Sequence, residues 1–327
     1  MKKFLCICLS STIQRTITFE KLTLTKVNRS KKYRQDASGK AVNSARVLNQ
    51  LEKGCVTTIC PLGKENQDLF LSLAEKDELE LLTAQIPGFT RECWTLLDKT
   101  NYTTTELVVS EPEPSNEQIN EIQKAEIKLL KLITRELPKV DAVLLAGSRP
   151  SFWSEDLYST ICGIAKDNNK FILADFIGKD LLNCLNNYSD TEISSAQPAY
   201  SAKTVHTHPA PTPDVVKIND EEFCKTFNLN YPLEIEELKK QILLKSSEYK
   251  NIFVITRGKD STLAAANGKI YECKSEKITP VNTTACGDSF NAGFLYEYIN
   301  SSDIQKALNK GTWCAARNAE KEVPGGI

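Results

Sequence analysis

Ala142-Val143-Leu144-Leu145-Ala146, residues 155–166 and Phe171-Ile172-Leu173-Ala174, read in succession, decide the fold. The first and last are apolar at every position, so each reads as a strand covered on both faces. The segment between them reads as a helix. The same unit repeats outward. Toward the C-terminus come a helix at 179–185, the strand Val215-Val216-Lys217-Ile218, a helix at 233–244 and the strand Ile252-Phe253-Val254-Ile255. Toward the N-terminus lie helices at 117–137 and 66–76, the core strand Cys55-Val56-Thr57-Thr58-Ile59-Cys60 and a first buried strand, Phe4-Leu5-Cys6-Ile7-Cys8-Leu9. Such alternation implies an α/β fold built on a doubly wound, mostly parallel sheet. Ligands of these sheets bind beyond the carboxyl ends of the strands. Polar residues gather at those ends here: Gly147-Ser148-Arg149, Asp175, residues 219–222 and Thr256-Arg257-Gly258. Loops at strand ends are polar in any case, so the recurrence carries the reading and no single residue does.

Other segments alternate apolar with polar residues and fit a half-exposed sheet. They are Thr16-Ile17-Thr18-Phe19, Leu22-Thr23-Leu24 and residues 91–97 and 102–109, the last two flanking a turn at Asp98-Lys99-Thr100-Asn101. Together they predict a small sheet projecting from the main body. Residues 187–213 hold several Pro, Ser and Thr residues and both histidines, His206 and His208, and read as a long mobile surface loop. Without Cys or acidic neighbours in a recognisable pattern, the histidines read as exposed loop residues and not as ligands of a shared metal.

A chain of 327 residues with 41% hydrophobic residues suits one large soluble α/β domain, or one domain with a small appendage. A net charge of −1 gives nucleic-acid binding no electrostatic support. The 11 cysteines are scattered and form no Cys-x-x-Cys pair; Cys6 and Cys8 should share one strand face. Free buried thiols in a reducing cytoplasm account for them. Met1-Lys2-Lys3 and the apolar run after it imitate a signal peptide, but the run is short and Gln14-Arg15 follows with no small-residue cleavage pattern. No run is long enough to span a bilayer.

The chemistry concentrates near the C-terminus, in Asn282-Thr283-Thr284-Ala285-Cys286-Gly287-Asp288-Ser289-Phe290-Asn291-Ala292-Gly293-Phe294. Phe290, Gly293, Phe294 and Tyr298 recur at helical spacing, so Gly287-Asp288 should open a helix. A helix N-terminus offers unpaired N–H groups and partial positive charge, a place to hold a phosphoryl group. Asp288 at that mouth has two readings. It caps the helix, or it takes a proton from an attacking hydroxyl. A second helix entry, Ser38-Gly39-Lys40-Ala41-Val42-Asn43, places Gly39 where backbone can approach a ligand closely.

With these residues in view, nearly the whole chain resembles the ribokinase-like (PfkB) carbohydrate kinase family, most closely its branch of 1-phosphofructokinase and tagatose-6-phosphate kinase. Ala285-Cys286-Gly287-Asp288 matches the family's anion hole and catalytic base. Ser38-Gly39-Lys40-Ala41-Val42-Asn43 with Ala45-Arg46-Val47-Leu48 matches its Gly-Gly-Lys-Gly-x-Asn helix entry. Thr90-Arg91, Ala146-Gly147-Ser148-x-Pro150, Lys217-x-Asn219 with Glu222, Thr256-x-Gly258, Asn318-Ala319 and Pro324-Gly325-Gly326-Ile327 also fit. The resemblance implies transfer of the γ-phosphoryl group of ATP, with Mg²⁺, to a sugar hydroxyl. Asp288 would be the base, and backbone N–H groups around Cys286, Gly287 and Asp288 would steady the phosphoryl group. Asn219 and Glu222 would organise Mg²⁺ and phosphates through water. Thr256 and Gly258 would lie along the nucleotide, and Asn318 near the adenine. Gln14, Ser38, Gly39, Asn43 and Ser148 would line the sugar site. Arg29 and Arg91, with Lys40 assisting, would hold a phosphate already on the substrate. The projecting segments, about 11–37 and 88–111, would form a lid that closes over the sugar and pairs with the lid of a second copy.

The chain departs from the family at the sugar and at loop geometry. Gln14 stands where the branch has an Asp that holds sugar hydroxyls. Ser38, Ala41 and Ala285 stand where the family has Gly; if position 285 needs positive φ, Ala adds strain there. Arg149 replaces an apolar residue and reads either as an extra phosphate contact or as a solvated side chain. Three readings follow: a sugar-phosphate kinase, a kinase of an unphosphorylated sugar or nucleoside, and a non-catalytic sugar- or nucleotide-binding protein on the same fold.

Overall fold

A computed structural model of the chain describes residues 1–111, 113–186 and 212–327. Apart from residues 212 and 213, the loop expected at 187–213 lies outside the described residues, as do His206 and His208. In chain order the first half runs β1 (Phe4–Ile7), β2 (Thr12–Phe19), β3 (Lys32–Ser38), α1 (Lys40–Leu51), β4 (Val56–Gly63), α2 (Gln67–Glu75), β5 (Glu80–Ile86), β6 (Arg91–Asp98), β7 (Thr103–Val108) and α3 (Ile119–Glu136). The second half runs β8 (Ala142–Ala146), α4 (Leu157–Asp167), β9 (Phe171–Asp175), α5 (Gly178–Asn186), β10 (Val215–Asn219), α6 (Asp220–Thr226), α7 (Ile235–Tyr249), β11 (Ile252–Thr256), β12 (Thr262–Ala266), β13 (Lys269–Cys273), α8 (Cys286–Ser301) and α9 (Ile304–Ala319).

Nine strands form the large sheet, in the order β13-β12-β11-β10-β9-β8-β1-β4-β5. All neighbours from β11 to β5 are parallel, and β12 and β13 add an antiparallel edge. The expected doubly wound, mostly parallel α/β sheet is therefore present. Its apolar strands show why. Leu5, Ile7 and Leu9 enter one core with Ile122 and Leu129 of α3 and Ile161 of α4. Phe4, Cys6 and Cys8 enter the opposite core with Val42 of α1, Phe290 and Phe294 of α8 and Leu308 of α9. Strand alternation thus serves two helical layers at once. Cys6 and Cys8 share a face, and all eleven cysteines are free.

Four strands form the small sheet, in the order β3-β2-β6-β7. Both of its excursions leave from carboxyl ends of the large sheet, β2 after β1 and β6 after β5, so the small sheet stands over the ligand edge. Its strands follow the sequence expectation except at Leu22-Thr23-Leu24. There β2 has already ended at Phe19, and Leu24 is 80% exposed. The partner of β2 is instead β3, paired from Lys32 to Ser38. Polar Lys-Tyr-Arg-Gln-Asp-Ala-Ser gives no apolar alternation to read because β3 is an edge strand. β5, the short α6 and the C-terminal α9 likewise have no counterpart in the sequence reading. No described helix is long and apolar enough to cross a membrane.

Candidate active site

The chain order of the large sheet reverses between β1 and β8, and a cleft of about 650 Å³ opens beside that switch point. Strand ends supply its floor through Asp175, Lys217, Asn219 and Thr256. The N-terminus of α8 supplies one wall and Gly39-Lys40 with Asn43 of α1 another. The small sheet roofs it with the residues of one face, Thr12, Gln14, Arg91, Cys93, Thr104, Glu106 and Val108.

Asp288 lies in the first turn of α8 and is buried, with its residue 7% exposed. It does not cap the helix by side chain; Ala285 is the N-cap and no side-chain cap is made. Asn43 Nδ2 donates to Asp288 Oδ2 at 2.8 Å, and Ser44 Oγ donates to the Asp288 carbonyl at 2.8 Å. Asn43 is itself fixed, since Ser38 Oγ donates to its Oδ1 at 2.9 Å. Burial pushes the Asp288 carboxyl up to about 6; Lys40 and the Asn43 hydrogen bond oppose the rise, Asp175 adds to it, and Lys217 opposes it. First-turn N–H groups of Gly287 and Asp288 have no acceptor within the helix. The N–H of Cys286 is partly engaged, donating to the Thr283 carbonyl at 3.3 Å.

The turn into this helix depends on Ala285 at φ 66, ψ 12, a left-handed conformation in which a side chain is strained. Positive φ is thus required where the chain carries Ala. Gly39, at φ 126, meets a harder limit: a Cβ there would lie 2.7 Å from Cys8 Sγ and 3.0 Å from the Ser10 carbonyl oxygen. The ligand-facing backbone can come this close to β1 only with glycine at that position.

A buried charge cluster joins the two helix entries. Asp175, at the end of β9, is 1% exposed. Lys40 Nζ lies 2.9 Å from its Oδ1, Lys217 Nζ 3.1 Å from its Oδ2, and Asn291 Nδ2 of α8 donates to Oδ2 at 2.6 Å. Burial alone would raise the Asp175 carboxyl, but Lys217 and Lys40 overcome it and hold the group far below the usual carboxylate range. Burial works against the Lys40 charge, yet Asp175, Glu222 and Asp288 hold its ammonium above the ordinary lysine range. Asn219 and Glu222 form a reciprocal capping box on α6: Asn219 N–H donates to Glu222 Oε2 at 2.8 Å and Glu222 N–H to Asn219 Oδ1 at 2.7 Å. The other carboxylate oxygen of Glu222 lies 3.9 Å from Lys40 Nζ.

The cleft brings together Gln14, Ser38, Gly39, Lys40, Asn43, Arg91, Asn219, Glu222, Thr256, Gly258, Ala285, Cys286, Gly287 and Asp288. Three expected residues are not among those lining it. Arg29 is exposed in the connection between β2 and β3, and Ser148 is exposed beyond β8. Asn318 is fully buried, donating to the Thr284 carbonyl at 2.8 Å and to Cys286 Sγ at 3.3 Å and accepting from Gly325 N–H at 2.6 Å. Its amide braces the turn before α8, and its full burial keeps it out of the cleft. Arg149 fits neither of its readings: it pairs with Asp180 at 3.0 Å and donates to the Trp153 carbonyl at 2.9 Å. Gln14 donates to the Cys93 carbonyl at 3.2 Å and to Thr95 Oγ1 at 2.6 Å, so its NH₂ group serves the small sheet. Glu106, which the sequence did not single out, accepts from Thr284 Oγ1 at 3.0 Å and ties the roof to the turn before α8.

Residues 3–325 match the family described as pfkB family carbohydrate kinase. A tagatose-6-phosphate kinase of Staphylococcus epidermidis is 23% identical over 323 residues, spanning 99% of this chain and 94% of that protein. The crystal structure of phosphofructokinase-2 from Escherichia coli with potassium superposes with a TM-score of 0.79 at 13% identity, covering 100% of this chain and 96% of that one. A structure from Thermotoga maritima described as a possible 1-phosphofructokinase gives 0.77 at 17% identity, covering 99% and 94%. A match along almost its whole length places the chain in the pfkB family of carbohydrate kinases, phosphotransferases that act on a sugar hydroxyl.

Proposed function

We propose that this kinase transfers the γ-phosphoryl group of ATP to a hydroxyl of a phosphorylated ketohexose of the fructose 1-phosphate, fructose 6-phosphate or tagatose 6-phosphate type. The observation that carries the reading is Asp288: a buried carboxyl near pKa 6, held by Asn43 at the open end of α8 beside unpaired N–H groups. At neutral pH it is ionised and can take the proton of the attacking hydroxyl, an effect on the order of 10²–10⁴-fold. The hydroxyl oxygen bonds to the γ-phosphorus, the bond to the ADP oxygen breaks, and the proton ends on Asp288. N–H groups of Gly287 and Asp288 meet the charge on the phosphoryl oxygens. Thr256 and Gly258 border the nucleotide side of the cleft. The curated tagatose-6-phosphate kinase and the phosphofructokinase structures support an acceptor that already carries phosphate. Arg91, which lines the cleft, is the residue for that phosphate, with Lys40 assisting.

Among the described residues no cluster of three His, Cys, Asp or Glu side chains could cage a metal ion. The donors present are hard oxygens, Glu222 and Asn219, which fit a Mg²⁺ ion held through water and the nucleotide phosphates. When bound there, the ion would neutralise phosphate charge. The free thiols suit a reducing compartment such as the cytoplasm.

A second reading, an unphosphorylated sugar as acceptor, is favoured by the cation count. Arg29 does not line the cleft of its own chain, and Arg91 is paired with Glu111 at 3.2 Å. One assay separates the two: Mg²⁺-dependent ADP release with fructose 1-phosphate, fructose 6-phosphate, tagatose 6-phosphate and the free sugars, with Asp288→Asn alongside. Sugar-phosphate-dependent release that falls at least a hundredfold in Asp288→Asn is expected. Response to the free sugars alone would replace the first reading with the second. ATP binding with no turnover on either set would leave a binding protein.

A further inference from the structure

Arg91 opens β6, and several contacts fix the point from which it leaves the body. Asn66 clamps the residue before it on both sides: Thr90 N–H donates to Asn66 Oδ1 at 2.8 Å, and Asn66 Nδ2 donates to the Thr90 carbonyl at 2.9 Å. Gly63 N–H donates to Thr90 Oγ1 at 2.9 Å. Only glycine permits that approach, since a Cβ at 63 would lie 2.2 Å from Thr90 N. Beyond this clamp Arg91 borders two spaces, the cleft and a side cavity of about 70 Å³. Glu111 lines the side cavity and not the cleft. Its Oε1 lies 3.2 Å from Arg91 Nε and also accepts from Ser10 Oγ. Ser10 is buried, so the carboxylate is anchored to the turn after β1. Arg91 Nε–H is not directed at the carboxylate, which makes the contact an ion pair and not a hydrogen bond. Among the described residues Arg91 has no other ion-pair partner, and none accepts from its terminal nitrogens. A carboxylate that masked this cation would stand between it and the cleft. Glu111 meets it from the other side.

We propose that Glu111 is a positioning residue that presets Arg91 for the phosphate of the acceptor, and so favours a phosphorylated sugar over a free one. The proposal rests on the sugar-phosphate reading given above. Pairing on the Nε side holds the guanidinium before substrate arrives and leaves Nη1 and Nη2 as a fork for two phosphate oxygens. The entropy lost in ordering a long side chain then falls on folding and not on binding.

The test is steady-state turnover of Glu111→Ala and Glu111→Gln with ATP and the best sugar phosphate, each also in an Arg91→Met background, with thermal unfolding measured on the same samples. The expected result for Glu111→Ala is a KM for the sugar phosphate raised at least fivefold, with kcat and the KM for ATP within threefold of the parent. Glu111→Gln keeps the acceptor for Ser10 without the charge, so its KM should rise less, by at least twofold. It decides the case should Glu111→Ala not fold. Neither change should raise KM further in Arg91→Met, where no guanidinium is left to aim. Smaller rises in folded variants overturn the proposal and leave the kinase reading intact. So does a fall in KM, because Glu111 would then be neutralising Arg91 and not aiming it. An equal rise in the Arg91→Met background overturns it as well, since the effect then bypasses Arg91. A parent chain that turns over free sugars alone, or nothing, overturns the sugar-phosphate reading and this proposal with it.

Discussion

Asp288 sits where stability and function ask for different things. Its carboxyl is buried, and burial raises it from 3.8 to about 6 against the pull of Lys40, Asn43 and Lys217. The folded state therefore holds the proton more tightly than the unfolded chain does. Below pH 3.8 the group is protonated in both states and costs nothing. As pH rises from 3.8 through 6 the fold must accept a buried charge, and stability falls by up to about 3 kcal/mol. Asp288→Asn, whose side-chain oxygen can still accept from Asn43, should then be more stable than the parent at pH 7. Denaturant unfolding across pH would find that advantage shrinking as pH falls toward 4; an equal or lower stability at pH 7 contradicts it. In the proposed role of base, the same carboxyl would set the acid side of the activity. kcat/KM should fall about tenfold per pH unit below roughly 6, the signature of a base in the free enzyme.

At the scale of elements, α8 explains both what could be read and what could not. Its apolar spacing announced the helix, and the start observed at Cys286 lies one residue before Gly287. The strain at Ala285 was legible only as a condition, because φ cannot be read from a residue name. Its left-handed φ of 66 makes a clear expectation. Ala285→Gly should raise stability by about 1 kcal/mol, the order of cost for a non-glycine residue in that region, read as a higher urea midpoint at unchanged slope. An unchanged or lowered midpoint would mean the turn is not strained. The strands of the large sheet were legible because both of their faces are apolar; β3 was not, because an edge strand over a polar cleft carries no such pattern. Cleft-lining residues brought in by local motifs, such as Gly39, Asn43 and Asp288, were legible too. Lys217 and Asp175 were visible as strand-end residues, but their pairing joins positions 42 apart and no local pattern encodes it. Asn318 and Arg149 were misplaced for the converse reason: their polar groups are satisfied inside the fold, by partners that the sequence does not name.

For the whole molecule, the two faces of the small sheet set the question. One face, with Gln14, Arg91, Cys93 and Glu106, roofs the cleft. Strand register puts Arg15, Ile17, Tyr33, Trp94, Leu96 and Leu107 on the other. Arg15 lies over the Trp94 ring at 5.2 Å, which fixes that side. Tyr33 is 51% and Leu107 53% exposed, so the roof turns apolar surface outward. A four-stranded sheet that leaves one apolar face to solvent is poorly stabilised, and covering that face would steady the roof. We propose that a second copy of the chain covers it, small sheet against small sheet. Sedimentation equilibrium should then find a dimer, and Ile17→Asp with Leu96→Asp should convert it to a monomer, since two desolvated carboxylates at the centre of such a contact are prohibitive. Because the same strands carry Gln14 and Arg91, the monomer should also bind the sugar substrate more weakly, raising its KM, while ATP affinity on the strand-end floor changes little. A parent chain that sediments as a monomer at micromolar concentration removes the dimer from the account. A monomeric variant with an unaltered sugar KM would keep the dimer but show that the roof holds its shape without a partner.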